Sequence, residues 1–204
     1  MPADGHAAEY QPKANKGAPS RSPALTMANT VKDGIKTRKV AILAGDGVDE
    51  AELNGMKKAL LDAGAQAKVV ASRLGMLTSA KGASIPIDFS FLTSSSVLFD
   101  AIFIPGGDKS VAALQQESDA AEFVKEAYKH CKTLAATGAG GRFLRAVCLE
   151  RDPMGESDRA GAETTTDKGL IIGQEGEIRD VTSRFIKAMA QHRHWERELK
   201  AQPA

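Results

Sequence analysis

The chain has little of several features that usually point to a function. It contains two cysteines among 204 residues, Cys131 and Cys148, which form neither a CxxC pair nor a disulfide framework. No apolar signal segment stands near the N-terminus, so we expect a reducing, cytoplasmic location. No apolar run approaches the roughly 18 residues that a membrane helix needs, and we therefore expect a soluble protein without a membrane partner.

The chain also lacks an excess of charge of one sign. Lysine and arginine number 27 and aspartate and glutamate 26, which gives a formal net charge of +1. Such a balance produces no strong field to attract nucleic acid, and we expect no nucleic-acid partner. The length and the 42% content of hydrophobic residues fit one globular domain that buries a core without metal or disulfide support.

The order of apolar patterns along the chain indicates an α/β domain. Residues 1–37 are rich in Pro, Ala, Lys, Ser and Gly and lack a sustained period, which predicts a flexible leader or linker. The domain is predicted to span residues 38–197, followed by a C-terminal tail at 198–204. Strand-like runs at 40–44, 68–71, 101–104, 133–136 and 170–172 alternate with helical patterns at 49–63, 119–130, 140–148 and 178–189. A small hairpin is predicted within 78–87 and a loop over 150–168. The alternation predicts a mostly parallel sheet covered by helices on both faces.

Three glycine-rich turns follow predicted strands, at residues 45–52, 105–108 and 137–141. In an open α/β sheet, binding and catalytic sites lie at the carboxyl ends of the strands. These turns are therefore the place to look for chemistry.

The same turns carry a resemblance to a known superfamily. Residues 41–53, AILAGDGVDEAEL, resemble the first strand and acidic turn of the DJ-1/PfpI, class I glutamine amidotransferase-like superfamily. Residues 104–107, IPGG, are similar to its Pro-Gly-Gly loop, and residues 134–140, LAATGAG, to its nucleophile elbow. The order and spacing of the three signals carry the match, which covers roughly residues 38–195. It implies a flavodoxin-like three-layer sandwich.

The resemblance also implies which residues form the site. Active members carry a cysteine at the tip of the elbow, contacted by a glutamate from the first turn. By position the glutamate is Glu52 and the cysteine is replaced by Gly138, while Ala139 stands where protease-like members have histidine. We predict a vestigial site that lacks a nucleophile. Its members are Glu52, Gly106, Gly107, Thr137, Gly138 and Ala139. Cys131 and Cys148 are both predicted to lie too far away to replace the missing thiol.

A narrower resemblance is to the C-terminal domain of large-subunit catalases. It rests on the elbow, on the first turn, on residues 85–90, IPIDFS, and on residues 192–195, HRHW. It implies a link to hydrogen peroxide defence. A haem catalase core needs several hundred residues and a tyrosinate on the iron, whereas the only tyrosines here are Tyr10 and Tyr128. We therefore expect no cofactor in this chain.

Three functions follow as hypotheses. The sequence favours a non-enzymatic domain with a stabilising, docking or chaperone-like role, as a homo-oligomer or against a catalase core, either as a catalase-associated subunit or as a fragment whose haem core lies on another chain. An amidotransferase-like hydrolase with Thr137 as a displaced nucleophile is the enzymatic alternative, although Thr137 has no predicted base. Binding of a small molecule or nucleotide is the third.

Other candidate residues have structural interpretations beside the functional ones. The acidic residues Asp46, Asp49 and Glu50 could bind a cation, but capping of a helix N-terminus explains them better. The glycine turn at 138–141 with Arg142 could hold a phosphate, although it matches no nucleotide motif. His192 and His194 are two residues apart, which does not suit one metal on a helix. Trp195 could anchor a protein interface or pack on its own domain, and the sequence does not decide between them.

Overall fold

The fold is organised around a seven-stranded sheet with the strand order β5-β2-β1-β6-β7-β9-β8. The structure is a computed structural model that describes Pro23, Thr26, residues 32–149 and residues 165–200. In chain order, the strands are β1 (Lys39–Leu43), β2 (Gln66–Ala71), β3 (Gly75–Thr78), β4 (Ser84–Ile87), β5 (Phe89–Ser90), β6 (Ala101–Ile104), β7 (Thr133–Thr137), β8 (Thr165–Asp167) and β9 (Leu170–Gly173). All neighbouring pairs in the sheet are parallel except β8 with β9, and β3 and β4 form a separate antiparallel hairpin.

Five α-helices cover the sheet. They are α1 (Glu50–Asp62), α2 (Asp108–Gln116), α3 (Ser118–Lys129), α4 (Ala139–Leu149) and α5 (Ile178–Ala190). Two short 3-10 helices, Ser96–Leu98 and Trp195–Lys200, complete the described part of the chain. Within that part, no helix is long and apolar enough to cross a membrane.

The core lies in two layers, one on each face of the sheet. Side chains alternate along β1, so that Ile42 packs with the residues of α1 and α5 while Leu43 packs with those of α2, α3 and α4. Every residue of β6 and β7 is buried, as expected for central strands covered on both faces. The predicted flavodoxin-like three-layer sandwich with a mostly parallel sheet is therefore confirmed.

The loop predicted over residues 150–168 is wrong at its end. Thr165–Asp167 forms β8, which pairs antiparallel with β9 at the edge of the sheet, and residues 150–164 lie outside the described residues. A three-residue strand of polar side chains has no apolar period to reveal it. The sequence also gave no sign of α2 or of the two-residue strand β5.

The two ends of the domain differ in detail from the predicted boundaries. Ile35, placed by sequence in the leader, is only 2% exposed and belongs to the core layer of α1 and α5. The amide of Thr37 donates to the carbonyl of Gly64 at 2.8 Å, which ties this segment to the end of α1. At the other end, the predicted tail begins inside the 3-10 helix Trp195–Lys200. The predicted leader otherwise lies almost wholly outside the described residues.

Candidate functional site

Glu52 lies at the centre of the predicted site. Asp49 caps α1, and its Oδ1 accepts the backbone N–H of Glu52 at 3.0 Å. This cap places Glu52 in the first turn of α1, where a carboxylate interacts favourably with the helix dipole. Its side chain is 3% exposed and points to the carboxyl ends of the central strands.

The Glu52 carboxylate accepts hydrogen bonds from three separate segments. Oε2 accepts the backbone N–H of Gly106 at 2.7 Å and the hydroxyl of Thr137 at 2.5 Å. Oε1 accepts the backbone N–H of Gly176 at 3.4 Å. A buried carboxylate needs such donors, and charged hydrogen bonds are about twice as strong as neutral ones. Glu52 thus joins α1 to the segments that follow β6, end β7 and follow β9.

The Pro-Gly-Gly loop fits closely against the first turn. Gly107 has a φ of +109°, and a Cβ atom placed on it would lie 2.4 Å from the carbonyl oxygen of Gly47. The carbonyl of Gly106 in turn accepts the N–H of Asp49 at 3.0 Å. These two glycines therefore let the loop approach α1 closely enough for Glu52 to reach it.

The elbow between β7 and α4 has the backbone geometry expected of a nucleophile turn. Gly138 has a φ of +49°, in the left-handed region, and its N–H donates to the carbonyl of Gly173 at 3.0 Å. A Cβ atom on Gly138 would have its nearest non-adjacent neighbour, the Cβ of Glu175, at 3.6 Å, which is ordinary contact. The space for a side chain is present, and glycine leaves it unused.

The residues beside Gly138 offer no replacement nucleophile. Thr137 is fully buried, and its hydroxyl donates a hydrogen bond to Glu52 Oε2. Ala139 is the first residue of α4 and has no functional group. Among the described residues, the site therefore contains a carboxylate and backbone amides, but neither a thiol nor a histidine.

The two cysteines are remote from the elbow tip, as predicted. Cys131 is buried just before the amino end of β7, opposite the carboxyl end where the elbow lies. Cys148 lies near the end of α4, and burial raises the pKa of its thiol to about 12. A thiol with such a pKa is protonated at neutral pH and is a poor nucleophile.

The other acidic residues of the first turn have structural partners. Asp46 accepts the N–H of Thr78 and pairs with Arg73, each at 2.8 Å, and the backbone hydrogen bond is the main cause that lowers the pKa of Asp46. Glu50 accepts the hydroxyl of Ser79 at 3.3 Å. In the described ranges, no group of three or more His, Cys, Asp or Glu side chains could hold a metal ion.

The glycine turn at the start of α4 serves packing. A Cβ atom on Gly140 would lie 2.6 Å from the carbonyl oxygen of Ile104, so glycine is required for α4 to approach β6. Arg142 forms an exposed ion pair with Asp108 at 2.8 Å. The phosphate cradle considered from the sequence stays an untested prediction.

The HRHW segment lies at the opposite end of the sheet. His194 Nε2 is 3.0 Å from the hydroxyl of Thr133, and the backbone N–H of His194 donates to the carbonyl of Cys131 at 2.8 Å. Burial, together with the charges of Arg197 and Arg193, lowers the pKa of His194 to about 4. The imidazole is therefore neutral at pH 7 and holds the end of the chain against β7.

Two residues with structural contacts were not predicted from the sequence: one is at the site and the other is at the opposite end of the sheet. Gly176 follows β9 in a turn whose residues carry no recognisable motif, yet its N–H reaches Glu52. Lys132 is 3% exposed and its Nζ donates to the carbonyl of Ser96 at 2.6 Å. A lysine between a helix and a strand gives no sign in the sequence that it is buried.

The chain matches known proteins over most of its length. Residues 36–198 match the model of the C-terminal domain found in long catalases. The chain is 35% identical over 195 residues to Catalase-2 of Bacillus subtilis, covering 96% of this chain and 26% of that protein. It is 34% identical over 188 residues to Catalase HPII of Pseudomonas aeruginosa, covering 91% of this chain and 24% of that protein. The chain thus spans about a quarter of the length of these relatives.

Solved structures support the fold. A two-domain protein of Anabaena variabilis with DJ-1/ThiJ/PfpI-like and ferritin-like domains matches with a TM-score of 0.67 at 24% identity, covering 75% of this chain and 48% of that one. DJ-1 of Toxoplasma gondii matches with a TM-score of 0.66 at 15% identity, covering 80% and 98%. The chain therefore belongs to the family of C-terminal domains found in long catalases, with a DJ-1/PfpI-like fold.

Proposed function

We propose that this domain has a non-catalytic, stabilising or docking role associated with a catalase core. The observation that carries the proposal is the elbow: its backbone and its space for a side chain are kept, but Gly138 supplies no nucleophile. The remaining acidic group, Glu52, is engaged by three donors from three segments. These contacts indicate that Glu52 stabilises the fold by joining three segments to α1.

The link to catalase comes from the relatives. They are named catalases, and this chain corresponds to about a quarter of each. We infer that the domain acts beside a catalase core, in the same polypeptide or on a separate chain, and thereby contributes to hydrogen peroxide defence. A chaperone-like function and self-association are further forms of the same stabilising role.

The enzymatic alternative is a hydrolase with Thr137 as nucleophile. Thr137 is fully buried, and the group nearest to its hydroxyl is a carboxylate that already accepts two backbone amides. A substrate would have to displace the segments that Glu52 holds together. The geometry therefore favours the non-catalytic role.

A direct test compares three forms of Bacillus subtilis Catalase-2: the unmodified enzyme, a form lacking the segment that matches this chain, and a graft in which this chain replaces that segment. Haem content is checked by the Soret band, and peroxide turnover is followed during heating. We expect the graft to lose activity more slowly than the deleted form. Equal rates of inactivation would contradict the stabilising role.

A second test addresses catalysis by the chain itself. The purified chain is assayed for consumption of hydrogen peroxide and of methylglyoxal, beside a Glu52→Gln variant whose folding is verified by circular dichroism. We expect background rates from both. Turnover well above background that is lost in a folded Glu52→Gln protein would overturn the non-catalytic assignment.

A further inference from the structure

The exposed large apolar side chains of the domain divide between the two ends of the sheet. Leu74, Met76 and Leu92 belong to the connections that follow the carboxyl ends of β2 and β5. Leu61, Val97, Leu98 and Trp195 belong to segments near the amino ends of the strands. The second group lies opposite the elbow, so the site already described does not account for it.

Val97 and Leu98 are fixed at the amino ends of the central strands. The carbonyl of their neighbour Ser96 accepts the Nζ of Lys132, which directly precedes β7. The N–H of Asp100 donates to the carbonyl of Lys39 at 2.7 Å, at the start of β1. Val97 is nevertheless 76% exposed and Leu98 52% exposed, although both stand on a segment that is anchored on either side.

Trp195 is held at the same end. Before it, the backbone N–H of His194 donates to the carbonyl of Cys131. After it, Arg197 donates to the carbonyl of Lys132 at 2.6 Å and to that of Lys168 at 2.8 Å. Trp195 keeps 39% exposure between these two anchors. Its backbone is therefore positioned in advance of any binding.

Positive charge surrounds this apolar group. His192 and Arg193 both interact electrostatically with Arg38 and Asp100. His192 also interacts with the charge of Lys32. The acidic residues of this neighbourhood are Asp100, Asp33 beside Lys32, and Glu196 beside Trp195, and Oδ2 of Asp100 already accepts the N–H of Lys39 at 2.9 Å. The basic residues are more numerous and are Lys32, Arg38, Lys39, Lys132, Arg193 and Arg197. The lysine and arginine charges therefore exceed the acidic ones here, in a chain whose formal net charge is only +1. Such a face favours a partner surface that carries carboxylates.

The end of the sheet at which the polypeptide enters the domain indicates which partner covers this face. The first strand, β1, begins at Lys39 at this end of the sheet, and the charge of the preceding Lys32 acts on His192 of the same face. In long catalases the domain is C-terminal, and the relatives are about four times as long as the match. The rest of such a protein therefore leads into the domain at this end of the sheet. A tether at one face raises the effective concentration of the tethered portion at that face.

We propose that an amino-end face, formed by Val97, Leu98 and Trp195 with Lys32, Arg38 and Arg193, docks against an acidic and partly apolar surface of the catalase core. This inference rests on the proposed function and assigns its surface. Tryptophan and arginine are the residues most enriched at the energetic centres of protein interfaces. The apolar side chains would be covered by the core, and the arginines would meet its carboxylates at the rim.

The test uses the full-length graft of this chain in Bacillus subtilis Catalase-2. A photo-crosslinking residue, p-benzoylphenylalanine, replaces Leu98 in one sample and Leu92 in a matched control at the opposite end of the sheet. After irradiation, cross-linked peptides are identified by mass spectrometry. We expect position 98 to cross-link to peptides of the catalase core and position 92 to give at least tenfold less.

A charge-reversal pair provides a second measurement. Arg193→Glu in the graft should speed heat inactivation severalfold, whereas Lys81→Glu, on the exposed turn between β3 and β4, should leave the rate unchanged. Circular dichroism of the isolated variants verifies that both fold. The difference should shrink as salt is raised, because screening weakens exposed charge pairs.

The outcomes separate the two proposals. If the graft is no more heat-stable than the deleted form, the proposed function fails. If the graft is stabilised but the core cross-links form from position 92, from neither position, or only between two copies of this domain, the assignment of the amino-end face is wrong while the proposed function stands.

Discussion

The carboxylate of Glu52 lies where three segments meet, and each segment gives it one hydrogen-bond donor. Two of the donors, the N–H of Gly106 and the hydroxyl of Thr137, would be left buried and unpaired if the carboxylate were lost, whereas Gly176 is exposed. An unpaired buried polar group costs about 1–3 kcal/mol. The residue can therefore be retained for stability alone. Its presence under the elbow does not require that it take part in a reaction.

A double-mutant cycle measures this coupling. Thr137→Val removes the hydroxyl with little change in volume, and Glu52→Gln removes the charge that the hydroxyl meets at 2.5 Å. We expect each variant to lower the free energy of unfolding, with a coupling energy of about 1–3 kcal/mol between them. Urea unfolding at pH 7 of the two single variants and the double variant gives the value. Additive effects would show that the contact contributes nothing.

A thiol restored at the elbow should be the only reactive one. Gly138→Cys places a side chain in the open space near the N-terminus of α4, where thiols have a lowered pKa. The left-handed φ of +49° should cost about 1–2 kcal/mol of stability.

The measurement is the rate of labelling by iodoacetamide at pH 7 in the native state. We expect fast labelling of one thiol in the variant and slow labelling of the unaltered chain, since Cys131 is buried and burial raises the pKa of Cys148 to about 12. The unaltered chain is the control. Equally slow labelling of both proteins would mean that the elbow does not activate a thiol.

The C-terminal segment after α5 contains two histidines, His192 and His194, whose pKa is lowered by burial. His194 is held between Thr133, Gly169 and the charges of Arg193 and Arg197, and burial with these charges lowers its pKa from 6.5 to about 4. The unfolded chain therefore binds a proton at a higher pH than the folded chain does. The contribution of His194 to stability is complete above pH 6.5 and is lost as the pH falls towards about 4.

We expect the free energy of unfolding to fall by no more than about 3 kcal/mol over this interval, at about 1.4 kcal/mol for each pH unit. His194→Gln should remove most of this dependence, and His130→Gln, which changes an exposed histidine of the same chain, is the control. Urea unfolding at pH 7 and pH 5 checks the prediction. An unchanged slope in His194→Gln would contradict it.

The sequence predicted those elements whose apolar residues recur with a regular period. The strand at 101–104 agrees with β6, and the helical pattern at 178–189 differs from α5 by one residue. Missed elements have little or no such period: β5 has two residues and β8 has three polar ones. The helix α2, Asp108–Gln116, begins at the last residue of the predicted glycine turn 105–108, and no helix was predicted after that turn.

The candidate site was predictable as far as it lies in contiguous motifs. Glu52 and the two glycine turns follow strands whose carboxyl ends must meet in a parallel sheet, so their proximity could be expected. The contribution of Gly176 depends on how the turn after β9 folds back onto α1. That fold-back is a long-range contact between residues 124 positions apart, which local patterns do not encode.

On the scale of the whole molecule, the domain extends further towards the N-terminus than the composition indicates. Ile35 stands in a polar stretch, yet it packs in the same core layer as Met56 and Phe185. An isolated apolar residue in such a stretch resembles a linker residue when only the sequence is considered. Ile35 therefore belongs to the folded domain.

Ile35→Ala should therefore destabilise the domain as a core substitution does. We expect the free energy of unfolding to fall by about 2–4 kcal/mol. Lys36→Ala is the control, because Lys36 is exposed and should change the value by no more than about 0.5 kcal/mol. Chemical unfolding followed by circular dichroism distinguishes them, and equal small effects would place the boundary after Ile35.

The near-zero net charge also conceals an uneven distribution. Basic residues gather at the amino ends of the strands, whereas acidic Asp46, Asp49, Glu50 and Glu52 belong to the first turn at the carboxyl end. The two ends of the sheet thus differ in charge although the sum over the chain is +1. A composition count averages over this difference, and only the fold separates the two ends.

The open space at Gly138 has a consequence for how this family can change over time. Glycine codons that end in a pyrimidine become cysteine codons by a single base change, and the left-handed backbone at this position already exists. A lineage could therefore regain a thiol at the elbow without remodelling the surrounding loops. The contacts of Glu52 with its donors hold the shape of the elbow whether or not residue 138 carries a side chain, so a single substitution is enough to place a thiol there.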